Sequence, residues 1–143
     1  MEMNIHDFVP SLEFLYDAVA DSIMGYLYLT DIRSDRICIS EKARQDFGFS
    51  ECVIQNARET WFARIHPRDR DRVDESISLL YSAQKQTFED EFQMRATSGR
   101  YFWVRARGRI YQPPGMDKPT HVIGILENLE QDGEVDRVTG LHT

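Results

Sequence analysis

Cysteine, long apolar runs and basic residues are all scarce in this 143-residue sequence. The two cysteines, Cys38 and Cys52, form neither a CxxC pair nor a ladder with histidines, which argues against a zinc centre or a disulfide framework and suits a reducing compartment. No apolar run approaches the roughly 18 residues of a membrane span, and the N-terminus lacks the basic-then-apolar order of a secretion signal. We therefore expect a cytoplasmic chain without membrane contact.

The charge balance is acidic: 17 Lys and Arg side chains stand against 24 Asp and Glu, for a net charge of −7. Nonspecific binding to nucleic acid depends on clustered basic residues. The one dense basic run, residues 105–109, alternates arginine with Ala and Gly, and we expect Glu89 and Glu91 on a neighbouring strand to neutralise it by cross-strand ion pairs. No nucleic-acid partner is expected.

Apolar periodicity in the first half predicts helices and one hairpin. An amphipathic helix is predicted over residues 11–20, a hairpin over residues 24–40, and a short helix over residues 41–47 that ends at Gly48. A longer helix of about 14 residues begins near Pro67, because proline suits a first helical turn. The chain is long and apolar enough for a single core that needs no disulfide or metal.

Three strands are predicted in the second half, over residues 87–97, 101–111 and 120–129. The first two alternate apolar and polar residues, whereas the third is apolar on both faces. Together with the hairpin they predict an α+β fold: a five-stranded antiparallel sheet with its helices on one face and an additional N-terminal helix.

Four stretches of the sequence, taken together and in order, resemble a PAS domain of the type that ends in a PAC motif. Residues 47–50 (Phe-Gly-Phe-Ser) resemble its helix-ending Leu-Gly-Tyr-Ser, and residues 61–70 resemble its Trp-x-x-x-Ile-His-Pro-x-Asp-Arg. Residues 88–104 resemble its paired strands. Residues 124–130 resemble its closing Gly-x-x-x-Asp-Ile-Thr, with Asn128 and Glu130 at the Asp and Thr positions. The resemblance covers about residues 22–130 and implies a sensory domain that is not an enzyme.

Residues 136–141 (Asp-Arg-Val-Thr-Gly-Leu) are similar to the Asp-x-Leu-Thr-Gly-Leu that opens GGDEF domains, the catalytic domains of diguanylate cyclases. We therefore expect three parts: an N-terminal helical extension (1–21), the PAS domain (22–130), and a linker with the start of a truncated GGDEF domain (131–143). The implied parent is a bacterial diguanylate cyclase whose cyclic di-GMP synthesis the PAS domain controls. Asn128, Leu129 and Glu130 are then the expected signal-output residues.

A ligand pocket is expected between the sheet and the helices. Strand parity points Asp90 to that side, where a buried carboxylate must be hydrogen-bonded, paired or hydrated. Asp90 either orients a ligand or is held by a backbone amide or an arginine at the rim of the sheet. Small residues leave room beside it, and this room either holds a ligand or is filled by core side chains. The candidate pocket residues are Trp61, Asp90, Phe92, Met94, Ala106, Gly108 and Gly124.

No particular cofactor is indicated. The Asn-Cys-Arg-Phe signature of flavin-binding PAS domains does not occur, and no histidine stands in a pattern that supports haem. His66 precedes Pro67 and is explained more simply by helix capping than by metal ligation.

Large aromatic residues on the opposite sheet face, Tyr101, Trp103 and Tyr111, are costly unless something covers them. The N-terminal apolar stripe has a suitable size to do so; it consists of Leu12, Leu15, Tyr16 and Val19. The cover comes either from the same chain or from a second copy. The second case predicts a homodimer built on the outer sheet face and the N-terminal helix. A PAS domain that binds no ligand and acts only in dimerisation and protein interaction is the alternative function.

Overall fold

The computed structural model describes residues 11–130, 135–136 and 141–142. Four helices and eight strands lie in this part of the chain. In chain order they are α1 (Leu12–Ser22), β1 (Tyr26–Asp31), β2 (Arg36–Ile39), α2 (Glu41–Phe47), β3 (Val53–Ile54), α3 (Ala57–Phe62), α4 (Pro67–Tyr81), β4 (Thr87–Arg95), β5 (Tyr101–Tyr111), β6 (His121–Asn128), β7 (Val135–Asp136) and β8 (Leu141–His142). The predicted linker and GGDEF opening lie largely outside the described residues, as do residues 1–10.

The main sheet is antiparallel and has the strand order β3-β2-β1-β6-β5-β4. The α+β prediction is confirmed, but the sheet has six strands where five were expected. The additional strand, β3, pairs Ile54 with Ile37 and Val53 with Cys38. Two residues are too few for an alternating pattern, and for that reason the sequence does not reveal this strand.

Local signals in the sequence set the helix ends. Ser11 and Ser40 cap α1 and α2 by accepting hydrogen bonds from the backbone N–H groups of Phe14 and Ala43. Gly48 ends α2 because it adopts a left-handed conformation (φ +75°) that L side chains rarely adopt. His66 caps α4 through Nδ1, which accepts from the Arg68 N–H at 3.1 Å. Helix capping is thus the observed role of His66.

The core lies between the sheet and α2, α3 and α4. Buried side chains from both layers meet there, and the largest with almost no exposed surface are Phe47, Phe92, Ile39, Ile65, Leu80 and Met94. None of the helices in the described residues has the length and hydropathy needed to cross a bilayer.

The outer edge of β4 is covered by the segment that leads into α4. The Arg95 N–H donates to the Arg64 carbonyl at 2.8 Å, and the His66 N–H donates to the Gln93 carbonyl at 2.9 Å. The Asp69 carboxylate accepts from the Gln93 N–H at 2.9 Å. These bonds satisfy the backbone groups of a strand edge that could otherwise pair with another chain.

Candidate functional site

A cavity of about 70 Å³ lies between α3, α4 and the inner face of the sheet. Its wall is mostly apolar and comes from both helices and from strands β4 and β5; the main contributors are Trp61, Ile65, Val73, Phe88, Phe92 and Ala106. An enclosed apolar space with a few convergent polar groups is the usual form of a small-molecule site.

Four polar side chains reach the cavity: Tyr28 and Thr30 from β1, Arg58 from α3 and Tyr81 from α4. Burial raises the pKa of the Tyr28 hydroxyl and of the Tyr81 hydroxyl above the usual value. Both phenols therefore stay protonated at neutral pH and can donate as well as accept hydrogen bonds.

Arg58 lies at the rim of the cavity and is held there by α4. Its guanidinium forms an ion pair with Asp74, donates to the Ser78 hydroxyl at 3.2 Å, and stands over the rings of Phe62 and Tyr81, with centroids 5.7 and 5.5 Å away. These contacts hold the guanidinium in place, and it is the only charged group among the residues that line the cavity.

The volume limits the class of ligand. A water molecule needs about 10–15 Å³ by the same measure, whereas drug-sized ligands occupy pockets of about 300–1,000 Å³. The cavity therefore has room for a few waters or for a molecule of a few non-hydrogen atoms, and a flavin or a haem does not fit it. No group of three or more His, Cys, Asp or Glu residues suited to a metal ion occurs within the described residues.

Three of the predicted pocket residues line the cavity: Trp61, Phe92 and Ala106. Met94 is fully buried in the core and is not part of the lining. The polar lining residues Tyr28, Thr30, Arg58 and Tyr81 were not predicted. Tyr28 and Thr30 are two positions apart in β1, so the strand pattern places them on the same face of the sheet. It does not show that this face borders a cavity.

The space beside the two predicted pocket glycines, Gly108 and Gly124, is filled by the side chain of Tyr28. Gly124 pairs with Gly108 in β5 and with Tyr28 in β1. A Cβ atom at Gly108 would stand 2.6 Å from the Tyr28 hydroxyl oxygen, and one at Gly124 would stand 2.5 Å from it. The Tyr28 hydroxyl donates to the Arg107 carbonyl at 3.1 Å. Tyr28 therefore lies across both glycines, and neither borders the cavity.

Asp90 lies outside the cavity lining, on the side of β4 that faces α4. Its carboxylate forms an ion pair with Arg72 and accepts from the Glu91 N–H at 2.8 Å, so the geometry is that of a carboxylate held at the rim of the sheet. Arg72 also donates to the Glu91 carbonyl at 2.8 Å and lies 3.4 Å from the Asp69 carboxylate. The second oxygen of Asp90 is buried without a hydrogen-bond partner.

The predicted cross-strand ion pairs on the outer sheet face are confirmed for Arg105 and Arg107, whereas Arg109 lies opposite Thr87 and forms no ion pair with a described residue. Arg105 lies opposite Glu91 and Arg107 lies opposite Glu89, with N–O distances of 3.0 and 2.7 Å. Glu127 on β6 adds pairs to Arg105 at 3.9 Å and to Arg107 at 3.6 Å. The arginine-rich run is thus largely neutralised.

Helix α1 packs on the outer face at the β1 and β2 side of the sheet. The Cys38 thiol, which points outward between two buried isoleucines, lies 3.9 Å from the Tyr16 hydroxyl. Leu12 is 70% exposed, and Leu15 and Val19 are each 37% exposed. Most of the apolar stripe of α1 therefore faces solvent in a single copy of the chain.

The outer-face aromatics have other neighbours within the described chain. The ring of Tyr101 packs against His66 with centroids 4.7 Å apart, and Tyr111 packs against His121 at 6.2 Å. Trp103 is half-buried, and its indole N–H is buried without a hydrogen-bond acceptor.

The three expected output residues lie where the chain leaves β6. The Glu130 carboxylate accepts from the backbone N–H of Trp103 at 2.7 Å and pairs with Arg100 at 3.3 Å. The Leu129 N–H donates to the backbone carbonyl of Trp103 at 2.9 Å. The Asn128 side chain accepts from the Glu130 N–H at 2.9 Å. These bonds fasten the end of the domain to β5.

The family model of the PAS fold matches residues 36–126 of the sequence. The chain belongs to the PAS fold family. This match spans the sheet from β2 to β6 and the helices around the cavity, and the family is a sensory, non-catalytic one. No curated protein sequence matches the chain.

Solved structures of low sequence identity share the PAS fold. The sensory box histidine kinase/response regulator of Burkholderia thailandensis is 17% identical, with a TM-score of 0.66 over 82% of this chain and 86% of that one. The N-terminal domain of a diguanylate cyclase with PAS/PAC sensor from Marinobacter aquaeolei is 14% identical, with a TM-score of 0.65 over 76% and 98%. The PAS-B domain of Drosophila melanogaster Cycle with bound ethylene glycol is 14% identical, with a TM-score of 0.55 over 73% and 99%.

Proposed function

We propose that this PAS domain is a cytoplasmic sensor that binds a small polar molecule and controls a C-terminal GGDEF domain in a bacterial diguanylate cyclase. The cavity supports the sensing part, because its mostly apolar wall includes the polar residues Tyr28, Thr30, Arg58 and Tyr81. A ligand of a few non-hydrogen atoms that carries a hydroxyl or carbonyl matches both the volume and the polar groups.

A structure of similar fold supports this ligand class, since the Cycle PAS-B domain is described with bound ethylene glycol. Ethylene glycol and glycerol are therefore suitable probes. We expect titration of the ¹⁵N-labelled chain with either compound to shift amide signals around the cavity and to leave those of α1 and the outer loops unchanged, since neither lines the cavity. Native mass spectrometry of freshly purified protein tests whether a small molecule copurifies.

An Ala106→Leu variant fills the cavity and should abolish these shifts. Ile110→Val is the matched control, because Ile110 is buried on the same strand and does not line the cavity. Thermal melts of both variants verify folding. Shifts that persist in folded Ala106→Leu, or that are scattered over the surface, contradict binding in this cavity.

The alternative is a ligand-free module for dimerisation and protein interaction, and the exposed apolar stripe of α1 supports it. A homodimer on α1 and the outer sheet face would bury Leu12, Leu15 and Val19. Light scattering on the chain and on a Leu15→Ser/Val19→Ser variant tests this dimer. A dimer that survives the double substitution excludes α1 as its interface.

The proposed link to a GGDEF domain rests on the sequence motif at residues 136–141, most of which lies outside the described residues. The similar fold of the PAS domain from a Marinobacter aquaeolei diguanylate cyclase agrees with this proposal. The gene sequence after Thr143 is the direct test. If it encodes a GGDEF domain, Glu130→Ala in the whole protein should change the rate of cyclic di-GMP synthesis, because Glu130 fastens the exit of the PAS domain to β5.

A further inference from the structure

Most arginines in the described part of the chain form ion pairs with carboxylates. Five do not: Arg109 on β5 and four that lie near one another. These four, which we call the arginine corner, are Arg64, Arg68, Arg70 and Arg95. Arg68 donates to the Gln93 side chain at 2.6 Å, and Arg70 donates to the Ile65 carbonyl at 2.8 Å. Neutral acceptors hold these guanidiniums in place without cancelling their charge.

The four arginines lie near the end of β4: Arg64 precedes α4, Arg68 and Arg70 are on α4, and Arg95 ends β4. The Arg64 guanidinium donates to the Phe47 carbonyl and stands 4.4 Å from the centroid of the Phe49 ring. The backbones of Arg64 and Arg95 are joined by a 2.8 Å hydrogen bond, and Arg68 reaches across the same edge of β4. Burial and the nearby charge of Arg95 lower the pKa of Arg64, as expected for like charges in proximity. A group of arginines without an ion pair to a described carboxylate, on a chain of net charge −7, indicates a surface for a carboxylate-bearing partner.

Helix α1 carries a complementary surface. Glu13, Asp17 and Asp21 recur at every fourth position and so form one acidic flank, about 12 Å long at about 1.5 Å per residue. All three are exposed, and none forms an ion pair with another described residue. We call them the acidic flank of α1. It lies beside the exposed apolar stripe of the same helix.

The positions of the two surfaces on the sheet suit a two-fold arrangement. Helix α1 covers the β1 and β2 side of the outer face, whereas Ile123 on β6 and Tyr111 on β5 are each 51% exposed. The arginine corner lies at the β4 edge, beyond β5. When two such faces pack about a two-fold axis parallel to the strands, α1 of each copy meets the β5 and β4 side of the other.

We propose that the arginine corner docks the acidic flank of α1 from a second copy of this chain, and that this contact sets the register of the dimer. The inference rests on the dimerisation part of the proposed function. It adds a defined charge contact, repeated twice by symmetry, to the apolar burial of the α1 stripe. Since both partners are at the protein surface, the contact is sensitive to salt and to charge reversal.

Sedimentation velocity of the full chain measures the dimer dissociation constant. We expect it to rise between about 50 mM and about 500 mM NaCl as the charges are screened. Arg68→Glu/Arg95→Glu should weaken the dimer about tenfold or more at low salt. Asp17→Arg/Asp21→Arg should do the same, and the combined charge-swapped chain should recover most of the loss. Lys85→Glu/Lys118→Glu is the matched control, because it makes the same change in net charge on exposed loops outside the arginine corner.

Circular dichroism and thermal melts verify that each variant is folded. A dimer of unchanged affinity in Arg68→Glu/Arg95→Glu overturns the proposed contact but leaves dimerisation intact. Weakening by both reversals without recovery in the charge-swapped chain also overturns it, because the two surfaces would then act independently. A chain that is monomeric at all concentrations and salt levels overturns both the contact and the dimer.

Discussion

The hydroxyl of Tyr28 occupies the space that a side chain at position 108 would need: a Cβ atom there would stand 2.6 Å from the phenolic oxygen. Tyr28 and Gly108 lie on different strands, β1 and β5, which are separated by β6. The ring crosses Gly124 on β6, and its hydroxyl donates to the Arg107 carbonyl at 3.1 Å. One residue thus links the three central strands and closes off the cavity side of the sheet.

Gly108→Ala should lower the free energy of unfolding by about 1–3 kcal/mol, as overpacking of a filled core usually does. The cost should shrink in a Tyr28→Phe background, since the nearest clashing atom is the hydroxyl oxygen. Urea unfolding of the four chains of this double-mutant cycle measures the coupling. Additive costs would show that the hydroxyl is not the obstacle.

Gly124→Ala is the contrasting substitution. A Cβ there would stand 2.0 Å from the backbone carbonyl oxygen of Arg107 as well as near Tyr28. Because a strand backbone cannot move aside as a side chain can, Tyr28→Phe should rescue Gly124→Ala less than it rescues Gly108→Ala. Equal rescue at both positions would contradict this assignment of the clashes.

Arg72→Met should destabilise the chain by removing the cation that holds Asp90. Loss of one partner of a fully buried ion pair typically costs ~3–5 kcal/mol. The Arg72 side chain is 49% exposed, whereas that of Asp90 is 12% exposed. Solvent screening therefore reduces the expected cost to about 1–2 kcal/mol.

The double variant Arg72→Met/Asp90→Ala provides the control for that prediction. It should be more stable than Arg72→Met alone, because no unpaired carboxylate is left at the rim of the sheet. Guanidinium unfolding curves of the single and double variants give the comparison. A double variant less stable than Arg72→Met would mean that Asp90 stabilises the fold by some contact other than Arg72.

Alkaline pH should destabilise the domain from about pH 10 upward. Burial raises the pKa of Tyr26, Tyr28 and Tyr81 in the folded chain. Above the pKa of an unfolded tyrosine the unfolded chain releases these protons while the folded chain keeps them, so stability is complete below that pH and falls as the pH rises.

Absorbance at 295 nm measures the ionisation of the tyrosines, and urea unfolding at pH 8 and 11 measures the stability of the fold. The tyrosinate signal of the buried groups should rise only when the chain unfolds. Tyr28→Phe should flatten the loss of stability at high pH. Full ionisation of all tyrosines in the native chain near pH 10 would disprove the linkage.

Glu130→Ala should loosen the C-terminal end of the domain. It removes the acceptor of the Trp103 N–H and the partner of Arg100, and we expect a loss of about 1–2 kcal/mol. Amide hydrogen exchange of Trp103 should become faster, while that of β1 and β2 should not change. Unchanged protection of Trp103 would show that the carboxylate does not fasten this exit.

The secondary structure of this chain is largely readable from local patterns. The strand over residues 101–111 and the helix that starts at Pro67 show clear periods of two and of 3.6. The candidate site is harder to predict from the sequence: Trp61, Phe92 and Ala106 were predicted, whereas Tyr28 and Tyr81 were not. These two residues line one cavity only because β1 and α4 are packed together, and no local period encodes that packing.

The sequence by itself determines most of the elements, their order and the family, because capping residues, turns and apolar periods act over a few positions. The tertiary structure decides which arginines are paired with carboxylates and which are not. The arginines of residues 105–109 look basic in the sequence, yet the strand register places Glu89, Glu91 and Glu127 beside them. Arg64 and Arg68 are distant from Arg95 in the sequence, but all three lie near one edge of β4 in the structure, and none of them forms an ion pair with a described carboxylate. Coulomb interactions depend on distance in space, which the register of the strands sets.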